Sequence, residues 1–202
     1  MRAMLTARLK GSFLDSVRAF KDDDYPRLLD VALSDVSRLR PRHVWSSLVV
    51  WAGQRTYECP ADLKHVIASH WGRDQKQQRD PWAINYPVTR LPEMAIGYDP
   101  QGARVLVCVP SPDASLIAQL GAAFEYEYAA NHILNETVCS LTEFEQSLLI
   151  VRAQAEAMRE LAMKHVTTPV QLKEGMTASA ANGTPTYLYS LLMDEFSIKV
   201  AM

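Results

Sequence analysis

The spacing of apolar residues changes twice along this chain, and the change limits the folds that the chain can adopt. Up to residue 40, and again over 142–165, apolar side chains recur every three or four residues, as on one face of an α-helix. Over 43–131 the repeat shortens and turn residues interrupt it, as in β-strands. The sequence predicts an α+β fold over 1–165, with helices over 1–40 and 142–165 and antiparallel β-hairpins over 43–131, forming a single domain.

Two helices are predicted before residue 40. In the first, residues 1–21, Leu5, Leu9 and Phe13 share one face. The second runs from about Tyr25 to Leu39, after three aspartates at 22–24 and before Pro41. A third helix begins at Thr142, which forms a capping-box pattern with Glu145. Its apolar seam is heptad-like and consists of Phe144, Leu148, Val151, Ala155, Met158, Ala162 and His165.

Two hairpins are predicted in the β-insertion. The first pairs His43–Trp51 with Arg55–Cys59 across the turn Ala52-Gly53-Gln54, which places Val49, Trp51, Tyr57 and Cys59 on a core face. The second pairs Met94–Tyr98 with Arg104–Val109. Further strands are expected at Val66–Trp71 and Phe124–Asn131, and the polar stretch 72–92 is expected to be a long surface loop.

The C-terminal region, 166–202, is predicted to be a linker over 166–183 followed by a short helix. Thr184 and Pro185 form a helix-start pattern, and Leu188, Leu191, Leu192 and Phe196 then form an apolar face. An amphipathic helix on a linker is typical of a segment that docks on another protein. The alternative is that the helix folds back on its own domain, and the residues alone leave both open.

Candidate catalytic groups are sparse. Cys59 could act as a nucleophile with His65 or His70 as base, but a cysteine on a core face is more often a small hydrophobe. His65 and His70 are five residues apart, which in a regular strand puts them on opposite faces. Glu125 and Glu127 form a carboxylate pair, although their alternation with tyrosines is typical of a solvated strand face. No motif for a metal, a nucleotide or a dinucleotide occurs, so the sequence predicts no enzyme, no metal and no cofactor.

The bulk composition excludes other classes. The formal net charge of −2 gives no case for coating nucleic acid by charge alone. No apolar run is long enough to cross a membrane, the N-terminal stretch lacks the apolar core of a secretory signal, and three cysteines without CxxC spacing suit a reducing compartment. Arg38, Arg40 and Arg42 form the only tight basic cluster. They could contact DNA phosphate or a neighbouring subunit, and a solvated helix end is the favoured interpretation.

Several segments together resemble the head–tail connector (adaptor, or head-completion) proteins of tailed bacteriophages. The first is ALSDVSRLRPR, with Ala32, Leu33, Ser37, Arg38, Pro41 and Arg42, followed by Tyr57, Pro60 and Leu63 in TYECPADL. The segment YAANH (128–132), the alanine-rich helix after it and the terminal TPTYLYSLLMDEF are also similar to that family. The resemblance extends over residues 25–197. Cys59, where leucine is usual, and the long 72–92 stretch depart from the pattern.

The resemblance implies a helical bundle that carries an inserted β-structure. It implies a structural virion protein in the neck, assembled in the host cytoplasm as a ring, usually of twelve copies, between the portal and the tail or neck proteins. DNA would pass through the lumen without sequence-specific binding. The C-terminal segment would grip the portal, through Tyr187, Leu188, Leu191, Leu192 and Phe196. The alternatives are another neck or tail-completion protein and, from a different class, a small cytosolic α+β enzyme using Glu125, Glu127 and His132.

Overall fold

The structure is a computed structural model that describes residues 1–13, 20–73, 80, 82, 91–164 and 184–201. These residues form five helices and six strands, and the fold is α+β, as the sequence predicted. The helices are α1 (Arg2–Ser12), α2 (Asp24–Leu39), α3 (Ala114–Leu120), α4 (Glu143–Met163) and α5 (Pro185–Val200). The strands are β1 (Arg42–Val49), β2 (Thr56–Glu58), β3 (Leu63–Ser69), β4 (Glu93–Tyr98), β5 (Arg104–Val109) and β6 (Ala123–Ala130).

The chain divides into two compact units. Residues Met1–Pro41 and His132–Met202 form the helical unit, and the intervening residues Arg42–Asn131 form the β unit. Each unit has its own cluster of buried apolar side chains. The expectations for most of the 72–92 loop and for the 166–183 linker lie outside the described residues.

Helix α4 lies at the centre of the helical unit. Its residues from Arg152 to Met158 are all buried, and seven consecutive residues cover nearly two turns, so the helix is enclosed on every side over this stretch. Helices α1, α2 and α5 each pack against it, and Ala153, Ala155 and Ala157 leave room for close approach. The heptad-like seam was thus only part of the buried surface, and Phe144 at its start is exposed.

The helix ends follow their sequence signals with one exception. Both hydrogen bonds of the predicted capping box form between Thr142 and Glu145. Helix α2 begins and ends within one residue of the prediction. The prediction of a helix over 1–21 was too long, because α1 ends at Ser12 and Phe13 already has an extended backbone.

The β unit contains two three-stranded antiparallel sheets, in the orders β1-β6-β3 and β2-β5-β4. The predicted hairpin of β4 and β5 is confirmed, with Tyr98 opposite Arg104. Its turn is held by Asp99, whose carboxylate accepts hydrogen bonds from the amides of Gln101 and Ala103. Side chains from both sheets meet in one core, which includes Phe124 and Tyr126 of β6 and Leu106 of β5.

The first predicted hairpin was wrong. Strand β1 pairs along its whole length with β6, and β2 pairs instead with β5 of the other sheet. Gly53 does adopt a positive φ of 78°, but the turn carries the chain from one sheet to the other. Val49 and Trp51, expected inside, are exposed, whereas Tyr57 is buried and Cys59 is half-buried. Pairing of β1 with β6 over eight residues forms more hydrogen bonds than pairing with the three-residue strand β2 could form.

The short helix α3 was not predicted. Asp113 caps it by accepting a hydrogen bond from the Leu116 amide at 2.7 Å, which holds the pKa of the Asp113 carboxyl below its usual range. Gly121 follows the helix with φ of 87°. An aspartate before and a glycine after this seven-residue apolar run are the sequence signal of the helix.

Candidate interaction surfaces

The C-terminal helix α5 lies against α4 within the helical unit. Three of the five residues expected to grip the portal, Leu188, Leu192 and Phe196, are each 2% exposed or less and belong to the helical core. Tyr187 is 41% exposed, and Leu191 is half-buried. The described part of the chain therefore has the fold-back arrangement, which leaves Tyr187 and Leu191 at the surface of α5.

The basic cluster is divided between the two units. In the helical unit, Arg38 forms an exposed ion pair with Asp35 at 3.1 Å, and the Arg40 guanidinium lies over the Phe144 ring, 5.3 Å from its centroid. In the β unit, Arg42 donates to Asp62 at 2.8 Å, and Asp62 also accepts from the Tyr128 hydroxyl. Each arginine has a partner within its own unit. Of the two that pair with a carboxylate, Arg38 has the more exposed side chain.

A chain of charged side chains crosses the helical core between α2 and α4. Arg152 donates to Asp35 at 2.7 Å and to Glu156 at 3.1 Å, and Arg159 also donates to Glu156. Glu156 is only 1% exposed. A buried carboxylate of this kind is tolerated because cations and hydrogen bonds surround it, and the same contacts fix how α2 and α4 are aligned. The amphipathic pattern of α4 gave no sign of this network.

The suspected enzymatic residues belong to different units. His132 belongs to the helical unit, where its Nε2 donates to the Arg40 carbonyl at 2.8 Å and its Nδ1 lies 3.2 Å from the Ser140 hydroxyl. Glu125 and Glu127 belong to β6 in the β unit. Both nitrogens of His132 are thus engaged in holding the chain where it returns to the helical unit.

The outer face of the β1-β6-β3 sheet carries histidines beside a carboxylate. Glu127 lies 2.9 Å from Nδ1 of His43 and 3.6 Å from Nε2 of His70, and Trp45 stacks on the His70 ring at 4.2 Å between centroids. The expectation that His65 and His70 face opposite ways was wrong. One of the two register shifts in β3, between Val66 and Ala68, falls between these histidines and reverses the alternation. His65 therefore lies in register with His43, and His70 reaches Trp45 on the same face.

The cysteines have surroundings typical of structural thiols. Cys108 is fully buried in the β unit, and burial raises the pKa of its thiol to about 11. Cys59 packs against the core of the β unit, while His65 and His70 lie on the outer face of the sheet. Neither His65 nor His70 is therefore placed to act as the base for Cys59.

A shallow cavity of about 410 Å³ lies beside α1 in the helical unit. Its lining includes Ala3, Ala7 and Pro26, with Arg2 and Lys10 among the charged residues. Arg2 pairs with Asp30 at 2.7 Å and Lys10 with Asp22 at 2.6 Å. These cations are already neutralised, so the cavity has no evident preference for an ionic ligand.

Over the described ranges, no group of histidine, cysteine and carboxylate side chains is arranged to hold a metal ion. No described helix is both long enough and apolar enough to span a membrane.

No family model matches the chain, and no curated protein matches it. Among solved structures, one match is a chain described as "Neck of empty GTA particle computed with C6 symmetry". It is 13% identical, the match covers 95% of this chain and 87% of that chain, and the TM-score is 0.27. A TM-score this low carries no argument about fold or function.

Proposed function

We propose that this chain is a structural, non-enzymatic component of a phage-type neck: a head–tail connector that forms a ring between the portal and the tail or neck proteins. The observation that carries the proposal is the architecture itself. A helical unit is interrupted between α2 and α4 by an antiparallel β unit, which is the arrangement that the resemblance to connector proteins implies.

The residues that carry the resemblance occupy structural positions, which supports the proposal. The Ser37 hydroxyl, at the end of α2, accepts a hydrogen bond from the His132 amide at 3.1 Å. This contact joins the segments 32–42 and 128–132 where the chain leaves and re-enters the helical unit. In the β unit, Asp62 connects Arg42 with Tyr128. Residues that look loosely matched in sequence are therefore linked in pairs by polar contacts.

Docking on the portal is proposed to use the exposed side of α5. Tyr187 and Leu191 can contact a partner while Leu188, Leu192 and Phe196 remain in the helical core. Docking through the buried three would require α5 to leave α4, which would expose apolar surface at a cost of several kcal/mol. Many weak contacts repeated around a ring still give firm attachment, because each bound copy raises the effective concentration of the next.

The proposed lumen passes DNA without holding it. A net charge of −2 supports this role, since each phosphate that a protein neutralises adds affinity that depends on salt. Arg38 and Arg42 are paired with carboxylates of the protein, which leaves less charge for phosphate. Binding of random-sequence duplex DNA should therefore be weak at physiological salt.

The test is to mix the purified chain with the portal of its own phage and to measure mass by light scattering and shape by electron microscopy. A ring on the portal is expected, usually of twelve copies. The paired substitutions Tyr187→Ala and Leu191→Ala should weaken attachment, and Ser197→Ala, on an exposed position of α5, should not. Deleting residues 184–201 is a poor test, because it also removes core side chains. Failure of the wild-type chain to join the portal would contradict the proposal.

The enzymatic alternative receives its own control. Glu125→Ala and Glu127→Ala should leave ring formation on the portal unchanged, because neither glutamate lies in the helical core. If the wild-type chain turns over a substrate and alanine at Glu125, Glu127 or His132 abolishes that turnover, the result would instead favour an enzyme.

A further inference from the structure

Strand β1 forms one edge of its sheet, and the direction of its backbone groups can be assigned. The Val50 amide donates to the Ala122 carbonyl at 2.8 Å, while the Glu125 carbonyl accepts from His70 on the β3 side. In an antiparallel ladder, residues alternate between bonding to the neighbour and pointing away from it. The even-numbered residues of β1 therefore bond to β6. The odd-numbered ones, His43, Trp45, Ser47 and Val49, direct their N–H and C=O groups to the open edge.

The opposite edge of the same sheet is protected. Strand β3 has two register shifts, which disturb a regular ladder. The Arg104 guanidinium donates to the carbonyl of Leu63 at 2.7 Å, and the Met94 amide donates to the Ser69 hydroxyl. Strand β1 has none of these devices: it pairs without a register shift over eight residues and contains neither proline nor lysine. Within the described residues, no backbone group lies against its outer edge.

We propose that β1 pairs, antiparallel and edge to edge, with β1 of a second copy of this chain. The β1-β6-β3 sheets of the two copies then form one six-stranded sheet, with a two-fold axis at Ser46. In this register His43 lies opposite Val49 of the other copy, and Trp45 lies opposite Ser47. All four outward N–H groups and all four outward C=O groups of each strand find partners.

A second copy of β1 satisfies this edge in two respects. An antiparallel copy presents its own free groups at the same spacing, so every donor meets an acceptor. The charges also do not conflict: Arg42 is already paired with Asp62, and His43 meets an apolar residue. Pairing also covers part of Val49 and of Trp45, which is 63% exposed.

This inference does not rest on the proposed connector function. Two-fold pairing gives a closed dimer, whereas a ring requires a head-to-tail contact between different surfaces. The β1 contact therefore describes the free protein, and the ring contact lies elsewhere on the surface.

The experiment measures the mass of the full chain against concentration by sedimentation equilibrium. The wild type should dimerise. Ser47→Lys should weaken the dimer about tenfold, since the two-fold axis brings the added charges close together. Ser47→Pro should weaken it by about tenfold or more, because each copy loses an outward N–H while the bonds to β6 remain. Ile67→Lys is the matched control: it adds the same charge to the exposed face of the same sheet, on β3, and should not change dimerisation.

Three outcomes would overturn the inference: a wild type that stays monomeric at all concentrations, a dimer that ignores both Ser47 variants, or larger assemblies that ignore them. In the last case the dimer is refuted while the ring proposal survives. Conversely, a Ser47-sensitive dimer that never joins a portal would support the edge pairing and contradict the connector function. An unchanged far-ultraviolet circular dichroism spectrum of the Ser47 variants confirms that they are still folded.

Discussion

The helical unit and the β unit satisfy their polar groups in different ways. In the helical unit even buried charge is matched, since Arg152 and Glu156 are enclosed with their partners in the core. Among its described residues, the β unit buries few charges, but it leaves Trp45, Val49 and Trp51 exposed and the outer edge of β1 without a paired strand. The distinctive contacts of the helical unit are therefore buried, whereas the distinctive groups of the β unit lie at its surface. Substitutions in the buried charge network of the helical unit should therefore act mainly on stability, whereas substitutions on the open edge of β1 should act mainly on association.

The two units can be followed separately. All four tryptophans, Trp45, Trp51, Trp71 and Trp82, lie in the β unit, so tryptophan fluorescence reports on that unit. Circular dichroism at 222 nm is dominated by the long helices of the helical unit. Denaturation followed by both signals assigns each loss of stability to its unit.

The largest effect is expected from Phe196→Ala. Phe196 is 2% exposed in the helical core, and truncating it should cost about 4 kcal/mol of unfolding free energy, through lost burial and the cavity left behind. Urea denaturation monitored at 222 nm measures the loss. Ile198→Ala, two residues on and 64% exposed, should change stability by less than about 0.5 kcal/mol. Equal losses for the two variants would mean that α5 does not pack against α4.

Breaking the buried ion network should be almost as costly. Glu156→Gln removes one of the two carboxylates paired with the buried Arg152, leaving it Asp35. Removing one partner from a buried ion network should lower the unfolding free energy by about 3 kcal/mol. Asp30→Asn, which breaks the more exposed pair with Arg2, should cost about 1 kcal/mol or less in the same denaturation assay. A neutral result at Glu156 would show that the network serves alignment without contributing stability.

Glycine substitutions should have opposite signs in the two units. A Cβ at Gly97 in β4 would lie 2.5 Å from Cγ2 of Val107, so Gly97→Ala should destabilise the β unit by about 2 kcal/mol through overpacking. Tryptophan fluorescence during denaturation measures this loss. Gly11 in α1 has free space around it, and Gly11→Ala should stabilise the helical unit by about 0.5–1 kcal/mol. The same sign at both sites would contradict the local packing.

The smallest expected effect is a loss of stability at low pH. Two hydrogen bonds from Arg27, 2.5 and 2.8 Å long, hold the pKa of Glu160 below its ordinary value of 4.5. A lowered pKa contributes stability above pH 4.5, and the contribution is lost as the pH falls through the folded-state value. Glu160→Gln should cost about 1 kcal/mol or less near pH 7, because Arg27 is half exposed. The difference from wild type should shrink below pH 4.5, whereas the effect of Ile198→Ala, which removes no ionisable group, should not follow this trend.

Local signals in the sequence predicted local structure well. The capping box at Thr142, the start of α2 and the β4–β5 hairpin all depend on residues within a few positions of each other, and all three are confirmed. The pairing of β1 with β6 joins residues about eighty positions apart. No turn signal marks such a contact, whereas Gly53 marked a local hairpin that does not form. Long-range strand pairing is decided by which surfaces bury together, and one strand's alternation cannot report that.

The same reasoning applies to the candidate surfaces. The apolar face of α5 was correctly located, but a helical pattern cannot distinguish a face that meets its own core from one that meets a partner. The three arginines at 38–42 are close in sequence, yet each forms a different contact. Nor could the alternating pattern of β1 show that its edge is open, because edge exposure depends on where the neighbouring strands lie.

The division of the helical unit by the β unit has a consequence for synthesis. Residues 42–131 form a continuous segment, so the β unit can fold once residue 131 has left the ribosome. Helices α1 and α2 leave first but have no α4 to pack on, and their apolar faces stay uncovered for about a hundred further residues, several seconds or more at cellular rates. We expect the first 41 residues to be the segment that chaperones bind during translation, although they end in the deepest core of the mature chain.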